Sequence, residues 1–348
     1  MKKILILFII LFIPLKVSAA SEIIVMDIDS GRILYEKNSN EKRLIASTTK
    51  IMTAIIAIEN MRLDKTITVG DEVLKAYGTN IYIEPGEKIT IKELLYGLIL
   101  RSGNDAALTL SQNIKGKEKN FIKLMNKKAF DIGMKNTIFE NVHGLDEETK
   151  NYSTAYDMAL LSIYAYKNKI YRNISSTKKY IVKSNIKTYE WYNRNKLLRM
   201  YKNCTSGKNG YTPSAGKTLV TTASKDDMNL TIVTLNDPDI YNTHENLYNY
   251  YFNRYKNYTV INKDTFKYDE SIINKKLYIK DNFIYPLEDS EVNKIETKLI
   301  IDNKNKEEVG KIEIKLNNKK LGEVKVYAVI NKKKKEQSLF RKIMNWIF

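Results

Sequence analysis

Apolar positions in this chain fall into two textures, helix-like in the middle and strand-like on either side of it. Glu22 to Ile28 and Arg32 to Lys37 are short apolar runs parted by Asp29-Ser30-Gly31, a hairpin signal. Ser47-Thr48-Thr49-Lys50 then opens an apolar stretch, Ile51 to Ile58, which predicts a buried helix. Further helices are predicted over Ile91 to Leu100 and Asp105 to Ile114, broken at Ser102-Gly103-Asn104, and over Asn120 to Ile132 with Gly133 as its stop. Another spans Thr154 to Tyr166, where Thr154 and Asp157 have capping-box spacing. From about residue 178 the pattern turns to strands at Lys179 to Val182, Thr218 to Ala223 and Leu230 to Leu235, followed by a helix from Thr243 to Tyr255. Strands at both ends of this region enclose a helical middle. That order predicts an α+β fold: one antiparallel sheet built from both chain ends and flanked by helices, with an inserted helical subdomain.

Beyond Tyr258 only short alternating runs remain, at Tyr278-Ile279, Lys298 to Ile301, Lys311 to Leu316 and Glu323 to Val329, which predict a small all-β domain over 258–331. The last stretch, 332–348, differs again. Lys332 to Lys335 is basic; Leu339, Phe340, Ile343, Met344, Ile347 and Phe348 fall on one helical face, and Arg341, Lys342 and Asn345 on the other. This tail is too short to span a bilayer but suits its interface, with Trp346 at head-group depth. Residues 1–19 read as a secretory signal: Lys2 and Lys3, the apolar Ile4 to Ile13, and the small residues Val17-Ser18-Ala19 at the cleavage point. The expected location is therefore outside the cytoplasmic membrane, held to its outer surface by the tail.

Export changes how the charge is read. The formal net charge is +18, and removing Lys2, Lys3 and Lys16 with the signal leaves +15. A basic exported surface suits phospholipid head groups or acidic wall polymers, and no nucleic-acid recognition motif is present, so nucleic acid is not expected as a partner. The single cysteine, Cys204, excludes an intrachain disulfide and is expected to be a partly buried small hydrophobe. His143 and His244 are the only histidines and have no ligand-like spacing, so neither a metal nor another cofactor is expected; His143 is expected to hold a loop.

Candidate chemistry starts at Ser47. A lone hydroxyl is a poor nucleophile that a neutral amine can activate, and residues three apart on a helix are neighbours, so Lys50 folds back beside Ser47. Ser-x-x-Lys occurs six times in the chain, but only the match at Ser47 opens an apolar helix; the plain alternative is a helix-capping serine beside a snorkelling lysine. Ser102-Gly103-Asn104, starting 55 residues later, offers a second hydroxyl and an amide at a helix break. Lys208-Asn209-Gly210, starting 161 residues after Ser47, offers a fixed cation and a close backbone approach shortly before a strand. Ser111-Gln112-Asn113 also matches Ser-x-Asn and reads as helix surface. The three triplets in this order and spacing form the signal.

With those residues in view, the chain resembles the low-molecular-weight penicillin-binding proteins, the serine D-alanyl-D-alanine carboxypeptidases of the S11 type. The likeness extends through Val25-Met26-Asp27, Gly31 to Tyr35, Ala46 to Ala54, Ser102 to Ala107, His143-Gly144-Leu145-Asp146, Ser153-Thr154-Ala155 and Gly210 to Pro213. It is dense from about 22 to 257 and implies a β-lactamase/DD-peptidase-like catalytic domain over 20–257. The resemblance also implies roles. Ser47 would attack the carbonyl between the last two D-alanines of a peptidoglycan stem peptide and form an acyl-enzyme; β-lactam antibiotics would acylate the same serine. Lys50 would be the base, Ser102 would pass the proton to the departing D-alanine, and Asn104 would hold the substrate amide and Lys50. The backbone amides of Ser47 and Tyr211 would form the oxyanion hole, Lys208 would attract the terminal carboxylate, and Arg194 would assist.

Two departures from the family pattern stand out. Asn209 replaces the usual threonine, whose hydroxyl would bind the terminal carboxylate, and Ser206 replaces a glycine and is expected to alter the turn entering the strand. Two other readings remain at this stage. Glu147-x-x-x-Asn151 loosely matches the deacylating motif of class A β-lactamases, and a site weakened at Asn209 would suit a non-catalytic peptidoglycan-binding protein.

Overall fold

The computed structural model describes residues 21–115, 117–268, 275–302 and 307–329. The expected signal at 1–19 and the expected amphipathic tail at 332–348 lie outside the described residues. No described helix is long and apolar enough to cross a membrane.

The two apolar runs at the start form strands β1 (Glu22–Asp27) and β2 (Ile33–Lys37). Chain order then brings helices α1 (Lys50–Asn60), α2 (Asn104–Gln112) and α3 (Ala155–Lys167), strands β3 (Cys204–Thr212), β4 (Gly216–Lys225) and β5 (Met228–Leu235), and helix α4 (Ile240–Arg254). The strands make one antiparallel sheet in the order β2-β1-β5-β4-β3, so β1 lies beside β5 with Val25 opposite Ile232. The two chain ends of the region thus meet at the centre of the sheet, as the pattern predicts.

Both faces of that sheet are buried, and successive side chains take opposite sides. Ile24, Met26, Val233 and Leu235 face a large core with α1 and α3, whereas Val25, Leu230 and Ile232 face a second core with Tyr248, Tyr251 and Phe252 of α4. Helix α1 runs through the large core: Ile51, Met52, Ile55 and Ile56 are at most 1% exposed. A stripe of that width needs tertiary cover on all sides, which the inserted helices supply.

Several expectations need correction. The Ser47 helix begins as a 3₁₀ turn, Ala46–Thr49, and becomes α-helical at Lys50. Ile91 to Leu100 is an α-helix only to Tyr96 and then widens to a π turn, Gly97–Arg101. Thr154 caps α3 by accepting from Asp157 N, but the Asp157 carboxylate turns to Asn136 N and Thr137 Oγ1 instead of closing the box. Lys179–Lys183 pairs with Thr188–Tyr192 as a separate ribbon and never joins the main sheet. Lys208-Asn209-Gly210 lies within edge strand β3, not before a strand. Ser206 is likewise inside β3, buried, with its hydroxyl 2.6 Å from Thr222 Oγ1, so it enters no turn. Ser111 is fully buried and donates to Leu108 O, not helix surface as expected.

The β-rich part is a four-stranded antiparallel sheet of Leu277–Ile279, Lys319–Ala328, Glu308–Leu316 and Ile295–Ile301, in that order, with a ribbon of Lys256–Ile261 and Phe283–Leu287 beside it. It has its own apolar core around Ile279, Ile312, Ile314, Val324 and Val326. Arg32, just before β2, reaches into this part. Its guanidinium donates to Pro286 O and to both Glu291 oxygens at 2.6–2.9 Å, and lies about 5 Å from the Tyr255 and Tyr285 rings. A planar bidentate fork stacked on aromatics is a job a lysine does poorly.

Candidate active site

Local geometry around Ser47 begins with the 3₁₀ turn. It presents the serine at the N-terminal end of α1 and places Lys50, the first α-helical residue, directly above it. Lys50 Nζ lies 3.1 Å from Ser47 Oγ, and it donates to Asn104 Oδ1 and to the His143 carbonyl, each at 2.7 Å. A neutral amine has two N–H bonds and one lone pair. In that form the two fixed carbonyl acceptors would take both N–H bonds and leave the lone pair for the Ser47 hydroxyl.

Electrostatics favour that neutral form. Lys50 is fully buried, and burial holds its amine well below the usual lysine range; the cations of Lys208 and Arg194 push the same way, and Asp105 opposes them. Lys208 is 1% exposed, and burial, reinforced by Arg194, brings it down to about 7. Its Nζ donates to Ser102 Oγ at 3.0 Å and to Asn209 O at 2.7 Å.

Ser102 follows the π turn in a left-handed conformation, φ +67° and ψ +36°, unusual for a residue with a side chain and a local strain that the surrounding packing must hold. The strain turns the chain sharply enough for Ser102 to meet Lys208 while Asn104, two residues on, meets Lys50. Asn104 is fixed from behind: its amide donates to Tyr77 O at 2.6 Å, and its backbone N–H to Thr79 O at 2.7 Å.

Edge strand β3 closes the other side. A Cβ on Gly210 would stand 2.7 Å from Ser47 N and 2.6 Å from Thr218 Oγ1, so only glycine lets the strand pass this close to the Ser47 amide. The Gly210 backbone thus runs beside the Ser47 amide, with Tyr211 next along the strand and its side chain 63% exposed. Asn209 is half-buried, and its side chain makes no hydrogen bond among the described residues. Arg194 sits on the rim, exposed, with Nη1 3.2 Å from Thr79 Oγ1.

Sequence reasoning missed the supports. The His143 carbonyl is one of the two acceptors of Lys50, and a backbone carbonyl has no residue-type signature. Its loop is held by Asn141, which accepts from His143 N and Gly144 N, and by Asn151, which donates to Thr49 Oγ1 and Asn141 O. The His143 ring accepts from Leu145 N, as befits the loop-holding role, and burial, helped by Lys50 whenever that amine is charged, lowers it to about 3. Glu147 is exposed and Asn151 buried in the loop network, so the loose Glu-x-x-x-Asn match does not bring a buried carboxylate to Ser47. Cys204 is half-buried as expected, and burial raises its thiol to about 12.

A half-buried serine on a buried lysine, a second serine on a second buried lysine, and a strand edge that passes close to the first serine's amide are the parts that a serine acyl-transfer site uses. The comparisons agree. The family profile for D-alanyl-D-alanine carboxypeptidases matches residues 13–239, and the chain belongs to that family. The D-alanyl-D-alanine carboxypeptidase DacF of Bacillus subtilis is 36% identical over 215 residues, 60% of this chain and 55% of its own length. DacC of Escherichia coli is 34% identical over 256 residues, 69% of this chain and 63% of its own. The chain therefore spans under two thirds of the length of these relatives. Among solved structures, the D-alanyl-D-alanine carboxypeptidase of Mycobacterium tuberculosis superposes with a TM-score of 0.64 at 29% identity, over 67% of this chain and 90% of its own. The Francisella tularensis DacD structure matches 89% of this chain and 92% of its own at a TM-score of 0.71 and 24% identity, a likeness of fold that takes in the β-rich part.

Proposed function

We propose that the chain is a serine-type D-alanyl-D-alanine carboxypeptidase that removes the terminal D-alanine from peptidoglycan stem peptides and is acylated by β-lactams. The observation that carries this reading is that Lys50 Nζ reaches two carbonyl acceptors and Ser47 Oγ together; as a neutral amine it spends both N–H bonds on the carbonyls and its lone pair on Ser47. In this mechanism Ser47 Oγ attacks the penultimate D-alanine carbonyl as Lys50 takes its proton. The backbone amides of Ser47 and Tyr211 receive the oxyanion, a contribution of about 3 kcal/mol per donor. Ser102, linked to Lys208, passes the proton to the departing D-alanine, and water then releases the acyl group with Lys50 again as base. Lys208 and Asn209 bind the terminal carboxylate, Arg194 adds positive field at the rim, and Asn104 holds the substrate amide. The residues of the site supply every proton transfer, so the mechanism calls on no cofactor.

The same proposal places the protein at the outer face of the cytoplasmic membrane, exported by residues 1–19 and held there by 332–348, with 20–257 as the catalytic domain and 258–331 as a β-rich domain beside it. D-alanine release from a diacyl-D-Ala-D-Ala peptide, measured beside Ser47→Ala, tests the activity: release that vanishes in the variant is expected. No release from a folded protein that penicillin still labels at Ser47 would mean that Asn209 has altered the carboxylate pocket, and Asn209→Thr should then restore it. No label either would favour a binding protein.

A further inference from the structure

Behind Asn104 lies a buried carboxylate to which the mechanism assigns no role. Asp105 is 2% exposed, in the first turn of α2. Its two oxygens accept from four different backbone amides: Ile81 N at 3.0 Å to each oxygen, Tyr82 N at 2.7 Å, Ile83 N at 3.3 Å and Ala106 N at 2.8 Å. Its own N–H donates to Asn80 Oδ1. Three consecutive amides converging on one carboxylate fix a stretch of backbone far more tightly than packing alone. That stretch is under strain: Tyr82 has φ +63°, an outlier for a bulky side chain, yet its ring is left 71% exposed. The same wall segment supplies the Tyr77 and Thr79 carbonyls that clamp Asn104, and the Thr79 hydroxyl that meets Arg194.

We propose that Asp105 is a positioning residue of the site: its carboxylate cages the amides of 81–83, which fixes the 77–83 wall, and through that wall Asn104 against Lys50. Resting on the acyl-transfer reading above, the proposal adds an electrical consequence. The charged groups bearing on Lys50 are Lys208 from β3, Arg194 from the rim and Asp105 from α2, with His143 neutral on the facing loop; Asp105 alone among them favours the protonated amine. Removing its charge should ease deprotonation of Lys50.

The experiment compares the full chain with Asp105→Asn and Asp105→Glu. Three readouts are taken: the pH dependence of acylation by a fluorescent penicillin, kcat and KM for D-alanine release, and hydrogen exchange at the amides of 81–83. Asp105→Asn is expected to lower kcat about 100-fold, the cost of a misplacement near 1 Å. KM should change little, the 81–83 amides should exchange faster, and the acid limb of the acylation profile should move to lower pH. Asp105→Glu keeps the charge but displaces the cage, so kcat should fall with the acid limb in place. Unchanged kcat and exchange in Asp105→Asn would overturn the proposal, as would lost activity with neither the limb nor the exchange altered. If Asp105→Asn does not fold, an unchanged kcat in Asp105→Glu overturns it. If the wild type neither releases D-alanine nor takes the label, the acyl-transfer reading fails, and exchange at 81–83 alone decides the cage.

Discussion

Lys50 Nζ and the backbone carbonyl of His143 are 2.7 Å apart, across 93 residues of sequence. This contact ties the amine's orientation to a loop that contains no acid or base of the proposed reaction. Because a carbonyl only accepts, it orients a neutral amine as readily as a charged one and leaves the proton inventory of the site unchanged.

Removing the amine should therefore stop acylation while the fold survives. Lys50→Met keeps most of the side-chain volume and removes the base. Labelling of Ser47 by fluorescent penicillin should slow by about 1000-fold, and far-UV circular dichroism should be unaltered. Labelling at the wild-type rate would remove Lys50 from the mechanism.

The pH profile should have two sides of different origin. Activity rises as Lys50 loses its proton, so the acid limb should lie well below the ordinary lysine range, as its burial and the two neighbouring cations dictate. Lys208 must stay protonated to attract a carboxylate, and its value near 7 means that KM for the peptide should climb above neutrality. Lys208→Arg keeps the charge at every accessible pH. If it folds, it should flatten that rise in KM, even if kcat falls; a rise identical to wild type would assign the basic side to another group.

Gly144 has φ +90°, and a Cβ there would lie 1.9 Å from Ala46 O, the residue before the nucleophile. Gly144→Ala should cost about 3 kcal/mol or more, combining an unfavourable backbone region with a collision against main chain. The denaturant midpoint should drop, with acylation lost in whatever remains folded. A midpoint within error of wild type would contradict the close approach.

Acid should weaken the fold through its two histidines. His244 is fully buried between Thr221 Oγ1 and Thr234 Oγ1, and burial lowers it to about 3; His143 is also near 3. Each folded value lies below the unfolded value of about 6.5. The folded state thus binds fewer protons, its stability is complete above 6.5, and it declines as pH falls from 6.5 toward about 3. Each group contributes on the order of a few kcal/mol across that window. Chemical denaturation at pH 7, 5.5 and 4.5 should show the decline, and His244→Gln should make it shallower. An equal slope in the variant would locate the acid sensitivity elsewhere.

The sequence alone determined the elements whose periodicity is strong: β1 and β2 with their turn, the apolar length of α1, α3 with its Thr154 cap, and the meeting of the two chain ends in one sheet. It also determined the side chains at the centre, because Ser47, Lys50, Ser102, Asn104 and Lys208 occur in triplets whose order and spacing are specific. Ser111 and the Lys179–Lys183 strand were misplaced for one reason: local periodicity says that a face is buried or extended, not which partner covers it.

Only the tertiary structure decided how those side chains act. The Lys50 amine is held well below the usual lysine range by burial and by Lys208, 158 positions away, and it is aimed by a carbonyl that any residue type could have supplied. Ser102 reaches Lys208 because a π turn and a left-handed residue bend the chain, and nothing in the residue pattern marks either. The Asp105 cage exists because three amides of a distant loop converge on one carboxylate. Desolvation, backbone direction and long-range convergence are properties of the folded chain, and it is there that a readable list of residues becomes a site.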